Sequence, residues 1–442
     1  MSNLDRRSFV KNSVLSAAAV TALAGDATAK ASASERVRVG VMGAGGRALS
    51  LIRSFAANKN VDIVAIADID PSRLPRGLEE AATRQGKKPK GEKDFRKLID
   101  DDTLDALVIG TPDHWHALPT ILACMAGKDV YVEKPDSHDI IEGRTMVAAM
   151  KKYKRVVQMG SQHRSTERMQ TALEFIKTGA LGRCLVAKAW ESTRQRGIGF
   201  PKDGTPPAGV DYDMWIGSAT KRPFNKNRFH GNWRWFHDLG TGDLGNDGVH
   251  RLDMAFAALA AAAEAQGDEP PGLPHTIASS GGKWYFDDMQ EFPDTLQVNY
   301  EYGGKTPKLL TYEMRIWAPY GFHTESEGAA IYGDKGYMLI GNTRWRAYGP
   351  GNKILKEMPG DSHEAPHVQN FIDCIKSRKK PYCDLETVGH PASVLCHTGN
   401  ISARLGRKLI LDPVTETFKD DPEANALRGR KEWRKPWELP KI

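Results

Sequence analysis

The fold of this chain depends on the stretch Val37-Arg38-Val39-Gly40-Val41-Met42-Gly43-Ala44-Gly45-Gly46-Arg47-Ala48. Its first six residues predict a buried strand, and an apolar helical pattern continues from the glycines through Phe55. A glycine-rich turn that leaves a strand and opens a helix is the fingerprint of a dinucleotide-binding unit. Gly43 permits the tight turn, Gly45 lets backbone amides approach a pyrophosphate, and Ala48 is small enough for close packing of the helix on the strand.

An acidic residue stands where this fingerprint requires one. The second predicted strand runs from Val61 to Ala67 and ends at Asp68, about twenty residues after the glycine turn. A carboxylate there accepts hydrogen bonds from the adenosine ribose and repels a 2′-phosphate, so NAD is favoured over NADP. The alternative is a Rossmann fold that holds no ligand.

The alternation of strands and helices predicts the fold class, α/β. Strands and helices alternate as far as Met159, which indicates a Rossmann domain with a doubly wound parallel sheet over residues 35–159. Residues 160–412 contain a helix from Val249 to Ala265 and then strand-like runs at 295–302, 308–317, 329–332, 336–340 and 344–348. They predict an α+β domain with a large, mainly antiparallel open sheet. Residues 413–442 are interpreted as a C-terminal tail.

The first 34 residues have the pattern of an export signal. The pair Arg6-Arg7 precedes an apolar run from Val14 to Gly25 and then Ala27-Thr28-Ala29, which are the parts of a twin-arginine signal peptide. The run is shorter than the ~20 residues that span a bilayer. We expect the twin-arginine export machinery as a partner, a periplasmic or otherwise exported mature protein, and no stable membrane insertion after cleavage. The alternative is a short N-terminal helix or anchor.

Composition excludes some classes of protein. A chain of 442 residues is long enough for two domains, and its net charge of +7 is spread along the sequence without the dense basic block typical of nucleic-acid binding. The five cysteines include no C-x-x-C pair, so we expect buried thiols and neither a zinc site nor a disulfide framework.

Lys134 is the first candidate for catalysis. The triplet Glu133-Lys134-Pro135 follows a predicted parallel strand, and ligands bind at the carboxyl ends of such strands. Beside a cationic nicotinamide the ammonium form of a lysine is disfavoured, which suits a general acid or base. The alternative is a surface lysine at a strand end.

Residues 36–412 resemble the Gfo/Idh/MocA oxidoreductases. The resemblance depends on the Gly43 fingerprint, the Glu133 triplet, the stretch Thr111-Pro112-Asp113-His114-Trp115-His116, and the stretch from Gly240 to Asp253. It implies NAD(P)-dependent hydride transfer at a secondary hydroxyl of a sugar, polyol or glycoside. Because free NAD is scarce outside the cytoplasm, we expect an exported enzyme of this kind to hold its cofactor tightly. It also implies that the protein is a homo-oligomer.

The resemblance also implies roles for particular residues. Lys134 hydrogen-bonds the reacting hydroxyl, and His250 shares the acid–base work. The family pattern Asp-x-Gly-x-His is here Asn246-Asp247-Gly248-Val249-His250. Asn246 can position a sugar hydroxyl but cannot take a proton, so proton transfer falls on Lys134 and His250. Substitution by Asp247 after a small backbone shift is the competing possibility.

Further residues complete the expected site. On the cofactor side these are Gly46, Arg47, Thr111, Pro112, His116, Glu133 and Gln162, and on the substrate side Arg164 and Trp233 join Asn246 and His250. An interdomain salt bridge is the alternative for Arg164, and core packing is the alternative for Trp233. His114 and His116 are expected to alternate faces on an extended strand, so no metal site is predicted.

Two other functions stay open. An NAD-dependent glycoside hydrolase, which oxidises its substrate transiently and eliminates the glycosidic bond, requires the same fold and nearly the same residues. A periplasmic protein that binds a sugar or dinucleotide without chemistry is the third interpretation, and Asn246 in place of the usual acid is its only support.

Overall fold

The computed structural model describes residues 36–360 and 363–442, so the predicted export signal at 1–34 lies outside the described residues. Two sheets and the helices packed on them form the described part of the chain. Across it, no helix combines the length and the apolar character needed to cross a bilayer. The helices are α1 Gly46–Ala56, α2 Leu74–Gln85, α3 Arg96–Ile99, α4 Ala117–Met125, α5 Ile140–Tyr153, α6 Glu167–Lys177, α7 Tyr212–Ile216, α8 Val249–Ala265, α9 Ala365–Ser377, α10 His390–Leu405 and α11 Pro422–Ala426.

The first sheet is parallel throughout and confirms the predicted Rossmann domain. Its central strands are mostly apolar and buried because helices cover both faces of the sheet, whereas the edge strand β3 is polar. The order β3-β2-β1-β4-β5-β6 reverses direction between β1 and β4, and ligands bind at such a switch point. The strands are β1 Val37–Met42, β2 Val61–Ala67, β3 Lys90–Glu92, β4 Ala106–Ile109, β5 Asp129–Val132 and β6 Val157–Met159.

Small residues hold α1 against the sheet at this switch point. Gly43 has a φ of +100°, a conformation that side-chain-bearing residues rarely adopt. A Cβ added to Gly110 would lie 2.8 Å from the Cα of Ala48, so α1 rests almost directly on the end of β4. The amino-terminal end of α1 therefore faces the crevice.

The second sheet has ten strands in the order β14-β13-β12-β11-β7-β10-β9-β8-β15-β16. Only β7 and β10 pair in parallel, which confirms the predicted, mainly antiparallel sheet. Its strands are β7 Cys184–Ser192, β8 Thr276–Gly282, β9 Thr295–Tyr302, β10 Lys308–Arg315, β11 Glu327–Gly333, β12 Tyr337–Ile340, β13 Arg344–Tyr348, β14 Ile354–Pro359, β15 Leu409–Asp412 and β16 Thr417–Phe418.

The residues directly before α8 are helical as well. Residues Leu244–Gly248 form a π-helical turn that continues without a break into α8. Gly248 packs closely there, since an added Cβ would lie 2.5 Å from the hydroxyl of Tyr312. Single π-helical turns are frequent at functional sites because they redirect side chains within a helix.

Later parts of the chain complete the core of the Rossmann domain. Phe371 of α9 packs edge to face on Phe55 of α1 and on Tyr131 of β5. On the other side of the sheet, Trp437 packs on Trp115 at a ring distance of 5.1 Å. Residues beyond the domain boundaries predicted at 159 and 412 therefore pack against the first sheet.

An ion pair joins the end of the Rossmann domain to α8. Arg164 donates Nε to both carboxylate oxygens of Asp253 at 2.9 Å, and its Nη2 approaches Oδ1 at 2.7 Å. Ser161 adds a hydroxyl at 3.0 Å, and the Asp253 side chain is fully buried. The assignment of Arg164 to substrate binding is therefore corrected, because Asp253 already engages its guanidinium.

We expect Asp253→Asn to destabilise the protein by about 3–5 kcal/mol, because it leaves the Arg164 charge buried without its counter-ion. Urea denaturation followed by tryptophan fluorescence measures the change. Asp102→Asn, at an exposed aspartate, is the matched control and should leave the transition unmoved. Equal stability of the Asp253 variant and the parent protein would contradict the assigned role.

Candidate active site

A cleft between the domains contains the fingerprint glycines. The first domain supplies the turn and strand ends, and the loop between β7 and α8 closes the cleft from the other side. Among the residues that line it are Gly43, Gly45, Gly46, Arg47, Asp68, Arg73, Thr111, Pro112, Trp215, His230 and Trp233.

The residues present fit a dinucleotide. Gly46 has a φ of +42°, and a Cβ added to Gly45 would lie 1.9 Å from Nη1 of Arg73, so a side chain at Gly45 would enter the cleft. The amino-terminal end of α1 presents backbone N–H groups where a pyrophosphate is bound in such folds. Gly43, Gly45 and Gly46 are thus placed as the sequence predicted.

Asp68 directly follows β2 and lines this cleft. Its carboxylate accepts hydrogen bonds from the backbone N–H of Ala44 at 2.7 Å and of Asp70 at 2.8 Å, which fix its orientation. Burial raises the pKa of this carboxyl above its ordinary value, in spite of those two hydrogen bonds. Arg73, which the sequence analysis missed, lines the cleft beside it. The signal available in the sequence was the position of this cation, five residues after Asp68.

Arg47 and Glu133 face each other across the first turn of α1. Nε of Arg47 donates to Oε1 of Glu133 at 2.9 Å, and Nη2 contacts Glu364 in the turn before α9. Of these two residues, both predicted as cofactor ligands, Arg47 lines the cleft and the buried Glu133 pairs with it from behind.

The stretch from Thr111 to His116 is not an extended strand as expected. Asp113–Trp115 form a 3₁₀ turn that leads into α4. The ring nitrogens of His114 lie 3.2 Å and 2.9 Å from the carbonyls of Leu239 and Trp215. Those of His116 lie 2.6 Å and 2.9 Å from the carbonyls of Pro135 and Thr111. The chain turns directly after β4, so this stretch does not continue as a strand. Through these contacts both histidines hold neighbouring loops together.

Lys134 follows β5 and reaches across to the second domain. Its Nζ donates to the backbone carbonyl of Asn246 and lies 3.4 Å from the side-chain oxygen of the same residue. The Lys134–Pro135 peptide is cis. The structure therefore brings together the lysine and the asparagine that the sequence placed in one site.

His250 lies one helical turn after Asn246 in the first turn of α8. It is buried, and its Nδ1 has no hydrogen-bond partner among the described residues. Burial, followed by the charge of Lys134, holds the pKa of His250 well below its ordinary value. The ring of His163 stands edge to face against it at 5.1 Å. A neutral imidazole therefore lies near the lysine.

Buried carboxyl groups surround Asn246. Asp243 accepts from Nδ2 of Asn246 at 3.4 Å, and one carboxylate oxygen each of Asp243, Asp247 and Glu191 lie within 4.8 Å of one another. Burial and the neighbouring carboxylates raise the pKa of Glu191 and of Asp243. Glu191 and Asp243 were missed from the sequence: Asp243 belongs to the quoted motif, whereas nothing local distinguishes Glu191 within β7.

Two further predicted residues take different positions. Gln162 lies in the 3₁₀ turn after β6, where its side-chain oxygen is buried without a partner among the described residues. Trp233, predicted to bind substrate, lines the dinucleotide cleft, and its Nε1 donates to the carbonyl of His230 at 3.1 Å. The loop before α8 brings it there because this loop folds back over the glycine turn. Trp215 and His230 enter the cleft with the same loop.

Comparison with known families identifies the class of protein. Residues 37–161 match the oxidoreductase family with an NAD-binding Rossmann fold, and residues 197–264 and 320–439 match the C-terminal α/β domain of the same family. This chain belongs to the Gfo/Idh/MocA oxidoreductase family, and its N-terminal domain is an NAD-binding Rossmann domain.

Curated relatives align with part of the chain. Glycosyl hydrolase family 109 protein 2 from Shewanella sp. (strain ANA-3) is 37% identical over 165 residues, which are 32% of this chain and 36% of that protein. Alpha-N-acetylgalactosaminidase from Shewanella oneidensis is 28% identical over 160 residues, 35% of each chain. The chain thus spans about a third of the length of these relatives.

Solved structures share the whole fold. Levoglucosan dehydrogenase in complex with NADH and levoglucosan has a TM-score of 0.64 at 17% identity, over 85% of this chain and 99% of that one. The WlbA dehydrogenase from Bordetella pertussis, in complex with NADH and UDP-GlcNAcA, has a TM-score of 0.61 at 19% identity over the same shares. At these sequence identities the similarity shows a shared fold and nothing more specific.

We expect Asp68→Asn to weaken NAD binding about tenfold, because a charge-assisted hydrogen bond to the ribose is lost. Discrimination against NADP should fall, since the repulsion of the 2′-phosphate disappears. Fluorescence titration with both dinucleotides measures the two affinities. Asp62→Asn, in the same strand outside the cleft, is the control. Unchanged discrimination would contradict the role of Asp68.

Proposed function

We propose that this protein transfers a hydride between a secondary carbinol carbon of a sugar, polyol or glycoside and NAD. The observation that carries the proposal is the juxtaposition of Lys134 with Asn246 and with His250, a neutral imidazole, at the carboxyl end of the NAD-binding sheet. NAD supplies the hydride acceptor at C4 of its nicotinamide when it is bound.

The chain's own residues handle the proton and the orientation. Lys134 donates a hydrogen bond to the reacting hydroxyl and stabilises the alkoxide as it forms. His250 accepts the hydroxyl proton and returns it in the reverse direction, because its imidazole is neutral at physiological pH. Asn246 orients a neighbouring hydroxyl through its amide group. An amide cannot take a proton, so Asn246 does not share in proton transfer.

The substrate class draws support from the fold neighbours. Structures of similar fold contain levoglucosan, UDP-GlcNAcA or, in the aldose-aldose oxidoreductase from Caulobacter crescentus, glycerol. All of these molecules carry hydroxyl groups, which suits the hydrogen-bonding groups around Lys134 and Asn246.

We expect Lys134→Met to lower turnover by about 10²- to 10³-fold, the usual cost of removing one donor that stabilises a developing oxyanion, while NAD binding changes little. Turnover of a panel of sugars and polyols, followed by NADH absorbance, measures the loss. Lys177→Met, at an exposed lysine remote from the cleft, is the control. Full activity in the Lys134 variant would contradict the mechanism, and a parent protein that binds sugar without turnover would indicate a non-catalytic binder.

A second candidate function is NAD-dependent glycoside hydrolysis. The names of the curated relatives favour it, since they are glycosyl hydrolases of family 109 and an α-N-acetylgalactosaminidase. In this reaction, oxidation at one carbon acidifies its neighbour, the glycosidic bond is eliminated, and water and hydride are added back. Release of free sugar from a chromogenic glycoside without net NADH formation would identify the hydrolase.

We further propose that the twin-arginine signal exports the folded protein with its NAD already bound, and that the cofactor is recycled within each catalytic cycle. Free NAD is scarce outside the cytoplasm, so a retained cofactor suits an exported enzyme.

We also propose that subunits pair through the open face of the second sheet. The partly exposed aromatic residues Tyr332, Tyr337 and Phe322, packed beside Trp190, support it. Mass measurement in solution tests the pairing.

We expect near-stoichiometric NAD to be released by acid from the mature protein purified without added cofactor. Absorbance and mass analysis of the supernatant measure it. Protein that is empty, with activity strictly dependent on added NAD, would contradict cofactor retention while leaving the hydride-transfer proposal intact.

A further inference from the structure

Residues 229–236, which we call the flap, form one wall of the dinucleotide cleft. The flap belongs to the loop between β7 and α8 of the second domain, and its His230 and Trp233 line the cleft together with Gly45 and Asp68. The proposed proton transfer at Lys134 uses neither of these flap side chains. The flap is therefore a part of the cofactor site that the Rossmann fingerprint does not include.

Both ends of the flap are anchored in the core of the second domain. Phe229 is buried at one end, and its ring packs on that of Trp215 at 5.1 Å. Trp235 and Phe236 are buried at the other end. The exposed Gly231 lies between these anchors. The middle of the flap can therefore move while its two ends stay in place.

One hydrogen bond among the described residues joins the flap to the first domain. Nε2 of His230 donates to Oδ2 of Asp70 at 2.7 Å. Burial and the charge of Arg73 hold the pKa of His230 at about 4, so its ring is neutral at physiological pH. Burial of Asp70 is outweighed by hydrogen bonds from Ser72 and His230, so the pKa of Asp70 lies below its ordinary value and the carboxylate is charged. The bond is therefore charge-assisted, which is the stronger kind.

This bond is connected to both sides of the cleft. On the first domain, the backbone N–H of Asp70 donates to Oδ1 of Asp68, the carboxylate predicted to bind the ribose, at 2.8 Å. On the flap, Nε1 of Trp233 donates to the carbonyl of His230 at 3.1 Å. Separation of His230 from Asp70 would therefore carry Trp233 away from the cleft as well.

The other tryptophan that the second domain contributes to the cleft is held differently. The carbonyl of Trp215 accepts a hydrogen bond from Nε1 of Trp115 at 2.9 Å, and Nε2 of His114 lies 2.9 Å from the same oxygen. Two rings of the first domain thus fix the backbone at Trp215, whereas Trp233 depends on the flap.

The cleft with the flap in this position is narrow for a dinucleotide. It encloses about 170 Å³, compared with the roughly 300–1,000 Å³ of pockets that bury drug-sized ligands. Nη1 of Arg73 lies so near Gly45 that an added Cβ would be 1.9 Å from it. Entry of a dinucleotide therefore requires outward movement of a wall, and the flap is a wall that one hydrogen bond holds to the first domain.

We propose that the flap is a lid of the cofactor site and that the His230–Asp70 hydrogen bond is its latch. The flap opens to admit or release the dinucleotide, and the latch sets the rate of release. The proposal rests on NAD binding in this cleft and deepens the proposed retention of the cofactor, because it names the contact that retains it.

Release of NADH from the full chain tests the latch. Protein loaded with NADH is mixed with excess NAD in a stopped-flow instrument, and the loss of energy transfer from tryptophan to NADH gives the rate constant of release. No sugar is present, so a failure of the hydride-transfer proposal leaves the measurement unaffected. The rate is measured after loading, so it does not depend on how much NAD the purified protein carries.

We expect His230→Asn to raise the rate of NADH release by about tenfold or more, the effect of losing one hydrogen bond to a charged group. His230 has a φ of +61°, which asparagine tolerates, and the shorter side chain reaches less far toward Asp70. His323→Asn is the matched control, because the exposed His323 also has a positive φ, +48°, and lies outside the cleft between β10 and β11.

A second variant tests whether the two side chains act through one bond. Asp70→Asn removes the charge while keeping the shape of the side chain, and it should also raise the rate of release. The double variant His230→Asn/Asp70→Asn should then release NADH about as fast as the faster single variant, because the second substitution has no bond left to break.

Hydrogen exchange separates opening of the flap from general destabilisation. Without NADH, exchange of the flap amides should rise in His230→Asn, whereas β1 and β4 should exchange as in the parent protein.

Any of four results would overturn the proposal. They are an unchanged rate of release in His230→Asn, an equal increase in His323→Asn, single effects that multiply in the double variant, and faster exchange throughout both domains. The last result would assign the faster release to unfolding.

Discussion

The hydrogen bond from Lys134 to the backbone carbonyl of Asn246 is the constraint on which the rest of the site depends. The lysine belongs to the parallel sheet, and the carbonyl belongs to the π-helical turn before α8, so one contact fixes the distance between the two domains. His250 lies four residues after Asn246 and therefore on the same face of the helix. Alignment of the second domain on Lys134 consequently aligns the imidazole as well. The buried Arg164–Asp253 pair holds the same helix at its next turn.

Charge in the site is arranged by burial. Burial and the charges of Lys134, Arg251 and Arg47 together keep His250 neutral, since charging it would place another cation in a dry environment. The carboxyl groups of Glu191 and Asp243 follow the same rule with the opposite sign, because burial and mutual repulsion favour their protonated forms. Asn246 therefore lies between the cationic Lys134 on one side and carboxyl groups whose ionisation is suppressed on the other. A neutral amide at this position avoids a further buried carboxylate beside that cluster.

Local periodicity predicted much of the fold, and long-range pairing accounts for what it missed. The helix Val249–Ala265 and the strand Thr295–Tyr302 coincide with their predicted bounds because each has a clear pattern within itself. The central strand β7 was missed, since Lys188 interrupts its apolar run and its partners β10 and β11 lie far along the chain. The motifs brought Lys134, Asn246 and His250 together correctly. The ion pair of Arg164 and the position of Trp233 depend on tertiary contacts that spacing does not encode.

The packing of Trp437 against Trp115 and Phe95 has a consequence for the order in which the protein can fold. These two aromatic residues are synthesised long before Trp437. Domains generally fold from the amino terminus as the chain is made. Here the first domain can build its sheet during synthesis, but one side of its core stays open until Trp437 has been made and has packed on it. Completion of the nucleotide-binding domain thus waits for a residue on the far side of the second sheet's sequence, so a chain truncated before Trp437 exposes apolar surface that quality control can recognise.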